Sequence, residues 1–289
     1  MIRIPLLGRT GNNLFQYALG RTLGERRGVP LLLDASLFNA DGWNQVSHFL
    51  NTPISAKVRR EPSLASRALR KFTGKHYWEY SRGPVKKESP DDHSFDPSFL
   101  DAPPECVLFG YFQSPLYFES ISELLRDEIN TCISGATTVE PNLAEQLSAP
   151  SSVAVHVRRT DYLVQPAFNI CGDGYYRNAI SHLRTLLKHP RFFIFSDDPA
   201  WCRSKFTAPD QIVLDTHSVT SNPLHDLHLM SLASHHIIAN SSYSWWAAWL
   251  GKKFGQEVVM PDRWFTSGIK VPIEEKNPGG WIMLPTQES

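Results

Sequence analysis

The alternation of short apolar runs with amphipathic helical segments is the feature that most constrains the fold of this chain. In its second half, VAVHVRR at 153–159, FFIFSDD at 192–198 and HIIANSS at 236–242 predict strands with buried apolar runs. GYYRNAISHLRTLLKHP at 174–190 and PLHDLHLMSLAS at 223–234 predict helices, with apolar residues at helical spacing. Strands that alternate with helices through short loops form a parallel sheet. We therefore expect a Rossmann-like α/β domain.

The N-terminal residues predict a second unit of the same kind. IRIPLL at 2–7 is followed by a turn with Gly8 and Gly11, and then by the helical segment LFQYALGRTLGERR at 14–27. VPLLLD at 29–34 predicts another buried strand. A strand, a glycine-bearing turn, a helix and a strand open a doubly wound sheet. Two Rossmann-like domains facing a cleft are the fold that this pattern predicts.

The length of 289 residues fits two domains of ordinary size. Residues 134–152 are small and polar, which is typical of a linker. We therefore place the domains at 1–145 and 146–289. The basic stretch at 57–75 is interpreted as a solvated helix face, and binding of an acidic or membrane-associated acceptor is the alternative.

Composition excludes several classes of protein. The 29 Lys and Arg residues balance 29 Asp and Glu, whereas broad nucleic-acid binding needs a positive surface. The four cysteines form no CxxC pair and the histidines of 223–236 form no HExxH motif, so no metal site is predicted. No apolar stretch reaches the ~18 residues of a membrane span, and the first residues do not resemble a signal peptide. We expect a cytoplasmic protein without a transmembrane segment.

Polar residues follow each apolar run of the second half, at the sheet edge where ligands bind in open parallel sheets. The first run continues as HVRRTDY, which puts His156 and Arg158 on one side of the strand. Arg158 and Arg159 suit a diphosphate, because a guanidinium fork binds two oxygens at once. Asp161 can orient one arginine or accept a proton. The alternative is a buried Arg–Asp pair that only braces the loop.

The second run ends in Ser196, Asp197 and Asp198. A carboxylate at this edge can accept two hydrogen bonds from a guanine edge or from a ribose diol. Two alternatives are open, namely that the paired carboxylates bind Mg²⁺ and that one of them caps the PAWCR helix. We expect one carboxylate to be the cap and the other to be functional.

The third run is followed by Asn240, Ser241, Ser242 and Ser244, and then by an apolar helix. N–H groups and hydroxyls at a helix N-terminus bind anions, so these residues are candidate phosphate ligands. The alternative is that Ser242 or Ser244 caps the helix, and the two roles are compatible.

The first turn of the chain, GRTGNNLFQY, contributes Gly11, Asn12 and Gln16 as candidate ligands. Its glycines allow close approach of a ligand to the backbone. The spacing is GxxG rather than GxGxxG, and the GxxxxGK[ST] of a P-loop is missing. The turn therefore does not by itself indicate a dinucleotide or a nucleoside triphosphate.

Together these segments resemble the α-1,2-fucosyltransferases of glycosyltransferase family 11. The resemblance rests on GRTGNNLFQYALG at 8–20, GYFQS at 110–114, VAVHVRRTDYL at 153–163, CGDGYYRNAI at 171–180, FFIFSDDPAWCR at 192–203 and HIIANSSYSWWAAWL at 236–250. The HxRRxD pattern is shared with other fucosyltransferases, and NSSYSWWAAWL is more specific to the family. The first turn departs from the commoner GGLGNQ, so Asn12 rather than Asn13 is carried over.

The resemblance implies a GT-B fold and an inverting, metal-independent transfer of L-fucose from GDP-β-L-fucose to the 2-hydroxyl of a galactose. Arg158 is then expected at the donor diphosphate, with His156 beside it and Asp161 supporting the loop. The C-terminal domain is expected to bind GDP-fucose and the N-terminal domain to serve the acceptor. The expected donor-binding residues are Gly11, Asn12, Gln16, Arg159, Asp173, Tyr176, Ser196, Asp197, Asp198, Asn240, Ser241, Ser242 and Ser244.

The chemistry of these residues agrees with that reaction. An arginine at the diphosphate stabilises the negative charge that develops on GDP, so no cofactor or metal is required. Asp161, Asp173 and His156 are the candidates for the base that takes the acceptor proton. The expected acceptor is a galactoside or an oligosaccharide, and a lipid-linked one would bring peripheral contact with a membrane surface. Transfer of another nucleotide sugar, another linkage, and a non-catalytic glycan- or nucleotide-binding module are the competing interpretations.

Overall fold

A computed structural model describes residues 1–60, 84–89, 93–215, 221–266, 269 and 271–286. The chain forms two compact units, Met1–Glu128 and Ile129–Ser289. This division falls earlier than the predicted boundary at residues 145 and 146, within the helix Ser122–Gly135. Residues 141–148 of the predicted linker are themselves helical, and Leu147 is buried there. This burial attaches the linker segment to the second unit.

Within the described residues, the first unit carries a five-stranded parallel sheet in the order β3-β2-β1-β5-β4. The strands are β1 (Ile2–Pro5), β2 (Leu31–Asp34), β3 (Lys57–Arg59), β4 (Val85–Lys87) and β5 (Cys106–Phe109). The helices are α1 (Thr10–Arg27), α2 (Ala40–Leu50) and the first part of α3 (Ser122–Gly135), with 3₁₀ turns at Pro97–Phe99, Pro115–Tyr117 and Glu119–Ile121.

The predicted strand–turn–helix–strand opening is confirmed by β1, α1 and β2. Helix α1 ends at Gly28, whose φ of 63° is left-handed and whose N–H bonds the Gly24 carbonyl. Glycine adopts this conformation without the steric cost that a side chain would add. The end of the helix is therefore encoded locally.

Part of the basic stretch at 57–75 is a strand rather than the predicted helix face. Residues Lys57–Arg59 form β3, which pairs in parallel with Leu32–Asp34 of β2. A three-residue edge strand is stabilised by its neighbour, and its sequence carries too few residues to show a period of two. Residues 61–75 lie outside the described residues.

The second unit contains a six-stranded parallel sheet in its described part, in the order β11-β10-β9-β6-β7-β8. Its strands are β6 (Ser152–Val157), β7 (Arg191–Ser196), β8 (Gln211–Val213), β9 (His235–Ile237), β10 (Val258–Pro261) and β11 (Ile282–Leu284). Its helices are α4 (Pro141–Ser148), α5 (Thr160–Leu163), α6 (Asp173–Leu186), α7 (Pro199–Lys205), α8 (Pro223–Leu232) and α9 (Ser242–Leu250), with a 3₁₀ turn at Ile273–Lys276. The predicted α/β fold of the GT-B type, built from two Rossmann-like domains, is confirmed by the two sheets.

The two faces of β6 have different neighbours, and this difference positions the site. Val153, Val155 and Val157 belong to a buried apolar cluster that includes Tyr175 and Tyr176 of α6. Successive side chains of a strand point to opposite faces, so His156 lies on the other face. Its ring contacts that of Tyr243 in α9, with centroids 5.7 Å apart.

A histidine in β9 is buried among groups that favour its neutral form. His236 Nε2 lies 2.9 Å from the Met230 carbonyl, and Nδ1 lies 3.1 Å from the Gln256 side-chain amide. These partners suit a neutral ring that donates at Nε2 and accepts at Nδ1. Burial disfavours the charged ring and lowers the pKa of His236 to about 3.

We expect the stability of the second unit to fall as the pH decreases from about 6.5 towards about 3. In this window the unfolded histidine binds a proton and the native one does not, so the loss is at most about 1.4 kcal/mol per pH unit. Urea unfolding between pH 7 and pH 4 measures it. His236→Asn should flatten the dependence, and the matched control His189→Asn, at an exposed position, should not. Equal slopes for His236→Asn and the wild type would contradict the assignment.

Candidate functional site

The carboxyl ends of β6 and β9 meet where the strand order of the second sheet reverses. From β6 the chain continues outward to β7 and β8, and from β9 it continues outward to β10 and β11. β6 and β9 are parallel neighbours, with Val155 opposite Ile237. Arg158 and Asn240 each lie three residues beyond that pair. Open α/β sheets bind their ligands at this position.

Arg158 is held by two carboxylates. Its Nη2 lies 2.7 Å from Asp161 Oδ1, and its Nη1 lies 3.1 Å from Asp197 Oδ2. The guanidinium also lies 5.6 Å from the centroid of the Tyr162 ring. The side chain is 18% exposed, so a ligand can reach it. A guanidinium has five N–H donors and can therefore bond phosphate oxygens as well as these carboxylates.

The charge of Arg158 is fixed by its surroundings. Burial opposes the charged form, but the hydrogen bond with Asp161 and the charges of Asp197 and Asp161 outweigh it and raise the pKa of Arg158. The cation is thus oriented before a ligand arrives. Such preorganisation lets a cation stabilise developing charge without a reorganisation cost.

Asp197 joins the loops that follow β6 and β7. Its Oδ1 accepts the backbone N–H of Arg159 at 2.9 Å, and its Oδ2 accepts the Thr160 hydroxyl at 2.6 Å in addition to Arg158. The side chain is 12% exposed. The geometry supports a bracing role for this carboxylate, and direct recognition of guanine or ribose by Asp197 stays a prediction.

Asp198 is the helix cap that the sequence offered as one alternative. Its Oδ1 accepts the N–H of Trp201 at 3.1 Å, and its Oδ2 accepts Arg159 Nε at 3.1 Å. The bond from the Trp201 N–H is the largest cause that lowers the pKa of Asp198. Arg159 lies over the Trp201 ring at 3.8 Å from its centroid, a cation–π contact. Ser196 accepts the Asp198 N–H at 3.0 Å, so Ser196 also shapes this turn.

Asn240 connects three loops with its buried amide. Its Nδ2 donates to the carbonyls of Phe168 at 3.0 Å and Trp264 at 2.9 Å, and its Oδ1 lies 3.5 Å from Cys171 Sγ. Its backbone carbonyl accepts the Tyr162 hydroxyl at 3.3 Å. Burial raises the pKa of Tyr162 to about 12, so this hydroxyl keeps its proton. The amide of Asn240 therefore bonds protein groups, and its expected contact with the donor stays a prediction.

The serines at the start of α9 occupy different positions. Ser241 precedes the helix and makes no capping bond with its side chain, whereas Ser244 is buried and donates to the Ser241 carbonyl at 3.2 Å. Ser242 is the first helical residue and is half-buried. Ser241 is also buried, so Ser242 is the most exposed of the three, and their expected contacts with phosphate stay a prediction.

Two further site predictions lie on α6. Asp173 is its first residue and pairs with Arg177 at 3.3 Å. Tyr176 is buried in the core, and its hydroxyl donates to the His156 carbonyl at 3.2 Å. Tyr176 thus supports the strand that carries His156 and Arg158. Its expected contact with the donor stays a prediction.

Sequence reasoning missed the group that packs beside His156. The Tyr243 ring contacts His156, and the Tyr243 hydroxyl donates to the Pro223 carbonyl at the start of α8. Asp226 follows in the first turn of α8 and is buried. The sequence could have pointed to Tyr243, because this residue lies inside the segment NSSYSWW that is specific to the family. Asp226 carried no signal, because it lies in an ordinary helical stretch.

In the first unit, Gln16 is a buried amide that joins two loops. It accepts the Leu7 N–H at 3.2 Å and donates to the Gly110 carbonyl at 2.8 Å. Asn12 is half-buried, and its Oδ1 accepts Gln113 Nε2 at 2.7 Å. Gly11 is buried in the first turn of α1. Of these residues, only Asn12 has a partly exposed side chain, and its partner Gln113 belongs to the GYFQS segment.

The described ranges contain neither a cluster of metal-ligating side chains nor a membrane-spanning helix. No group of three or more His, Cys, Asp and Glu residues there is placed to hold a metal ion. None of the helices in those ranges combines the length and apolar character that crossing a membrane requires. Asp197 and Asp198, the candidates for Mg²⁺, instead pair with Arg158 and Arg159.

Comparison with known proteins connects this geometry to a family. The model of glycosyl transferase family 11 matches residues 92–282. The chain is 30% identical to the alpha-1,2-colitosyltransferase of Escherichia coli, over 90% of this chain and 91% of that protein. It is 27% identical to the O-antigen biosynthesis glycosyltransferase WbnK of Escherichia coli, over 96% and 99%. It is 33% identical to the mouse galactoside alpha-(1,2)-fucosyltransferase 2, over 86% and 67%.

The matched region contains the structural elements that build the site. It includes β6 with Arg158, the turn after β7 with Asp197, and the start of α9. It also covers well over half of the chain. The chain is a glycosyltransferase that belongs to glycosyl transferase family 11.

Proposed function

We propose that this glycosyltransferase transfers L-fucose from GDP-β-L-fucose to the 2-hydroxyl of a terminal galactose, with inversion and without a metal. The observation that carries the proposal is Arg158, a partly exposed cation held by Asp161 and Asp197 at the switch point of the second sheet. Such a fork matches the oxygens of a diphosphate. The start of α9 adds N–H groups at the same edge.

The departure of GDP explains why this arrangement suits the reaction. Cleavage of the bond between fucose and phosphate leaves negative charge on GDP. Arg158 is oriented before the reaction, so it stabilises that charge as it develops. The acceptor proton goes to a base for which Asp161, Asp173 and His156 are the candidates. An oxocarbenium-like transition state lowers the demand on the strength of that base.

The names of the relatives agree on a 1,2 linkage but differ in the sugar that is transferred. One is named an alpha-1,2-colitosyltransferase and another a galactoside alpha-(1,2)-fucosyltransferase, so both names specify a 1,2 linkage. Colitose lacks the 3-hydroxyl that fucose carries. GDP-colitose is therefore the second donor to test, and it is favoured by a relative that aligns along 90% of this chain.

We expect Arg158→Ala to lower kcat by at least about 10²–10³-fold and to weaken GDP binding, because it removes a preorganised cation from the leaving group. Steady-state kinetics and calorimetric titration with GDP measure the two effects. The matched control is Arg184→Ala, which breaks a surface pair with Asp210 at 2.7 Å and should leave both unchanged. Unchanged GDP affinity in Arg158→Ala would reject the diphosphate assignment.

We expect GDP release from GDP-fucose to require a galactoside acceptor and to persist in EDTA. The assay uses lactose and a small panel of galactosides, with GDP-colitose in parallel, and NMR of the product identifies the linkage. Loss of activity in EDTA that Mg²⁺ or Mn²⁺ restores would contradict the metal-independent reaction. GDP binding without turnover of any donor would favour a non-catalytic binding module.

A further inference from the structure

The loop at residues 110–113, which follows β5, is built around a buried carboxylate that the proposed mechanism does not use. Glu88 directly follows β4, and its side chain is 5% exposed. Its Oε2 accepts the N–H of Tyr111 at 2.7 Å, and its Oε1 accepts the N–H of Phe112 at 3.2 Å. Consecutive backbone N–H groups that converge on one anion form a nest. Here the anion is a side chain of the same unit.

The backbone of this loop is unusual and tightly enclosed. Phe112 has a left-handed φ of 54°, which is uncommon for a residue with a bulky side chain. A Cβ added to Gly110 would lie 2.5 Å from Glu88 Cβ, so Glu88 packs directly on the loop. The Gly110 carbonyl also accepts Gln16 Nε2 at 2.8 Å. Glu88 and Gln16 thus fix the conformation of the loop.

The end of this loop determines the orientation of Asn12. Gln113 Nε2 donates to Asn12 Oδ1 at 2.7 Å, at the edge where the neighbouring strands β1 and β5 end. Asn12 packs on Gly8 so closely that a Cβ there would lie 2.1 Å from Asn12 Nδ2. The oxygen of the amide is held by Gln113, and its nitrogen is held against the first turn.

We infer that Glu88 and Gln113 are positioning residues for Asn12, with Glu88 acting through the loop and Gln113 through its amide. The inference rests on the proposed function and on the expectation, carried over from the family resemblance, that Asn12 binds the donor. Displacement of a contact group by about 1 Å can cost about 10²-fold in rate. The role therefore predicts a kinetic defect in addition to any loss of stability.

Glu88→Gln and Gln113→Leu should each lower kcat/KM by about 10–100-fold. Glu88→Gln replaces one acceptor oxygen with an N–H donor that faces backbone N–H groups, and Gln113→Leu removes the bond to Asn12. In a double variant with Asn12→Ala, neither change should lower kcat/KM further, because all three changes act through the Asn12 amide. The control Tyr17→Phe breaks a partly buried bond to Glu128 in the same unit, and should lower the melting temperature without changing kcat/KM per folded enzyme.

A direct probe separates this inference from the proposed function. The side-chain amide NMR signals of Asn12 should shift in Glu88→Gln and Gln113→Leu but not in Tyr17→Phe. If the wild type transfers no sugar from any donor, the proposed function fails and these signals alone test the positioning. Wild-type kinetics in both variants, full additivity with Asn12→Ala, or unchanged Asn12 signals would overturn the inference. If Glu88→Gln does not fold, Gln113→Leu at a half-buried position carries the test.

Discussion

The bonds of the Asp197 carboxylate across the ends of β6 and β7 are the interaction on which the candidate site depends. The two strands pair in register, with Val157 opposite Ser196, so the residues that follow them emerge side by side. Asp197 then bonds the Arg159 N–H, the Thr160 hydroxyl and the Arg158 guanidinium at once. Strand pairing thus creates the charge cluster, and the cluster in turn fixes the loop that carries Arg158.

Buried amides perform a similar task in both units. Gln16 joins the turn after β1 to the loop after β5, and Asn240 joins the loops after β6, β9 and β10. Each amide supplies both donors and an acceptor, so one side chain satisfies several backbone groups that would be costly to bury unpaired. The partly exposed side chains of these regions have other partners: Asn12 bonds Gln113, and Arg158 bonds Asp161 and Asp197.

Features that depend on residues close together in the sequence could be predicted, whereas features that depend on distant residues could not. Strand β6 and the helix end at Gly28 follow from residues within a few positions, and the sequence alone predicted them. It also predicted a cap for α7 but left open which of Asp197 and Asp198 provides it. Strand β3 was missed because its pairing partner β2 lies more than twenty residues earlier. Donor binding by Gln16 and Asn240 stays a prediction, because a polar residue beside a strand end has the same sequence signal whether it bonds a ligand or a neighbouring loop. Glu88 had no signal, since its partners Tyr111 and Phe112 are distant in sequence.

By itself the sequence determined the α/β class, the parallel order of alternating elements and the family, because these depend on periodicity and on contiguous motifs. Only the tertiary structure decided which polar side chains are hydrogen-bonded within the protein and which are exposed. That distinction depends on hydrogen-bond partners brought together from separate strands, as Asp197 is with Arg158 and Gln113 is with Asn12. A buried polar group must find such partners, and their identity is set by the packing of the folded chain rather than by the residues on either side.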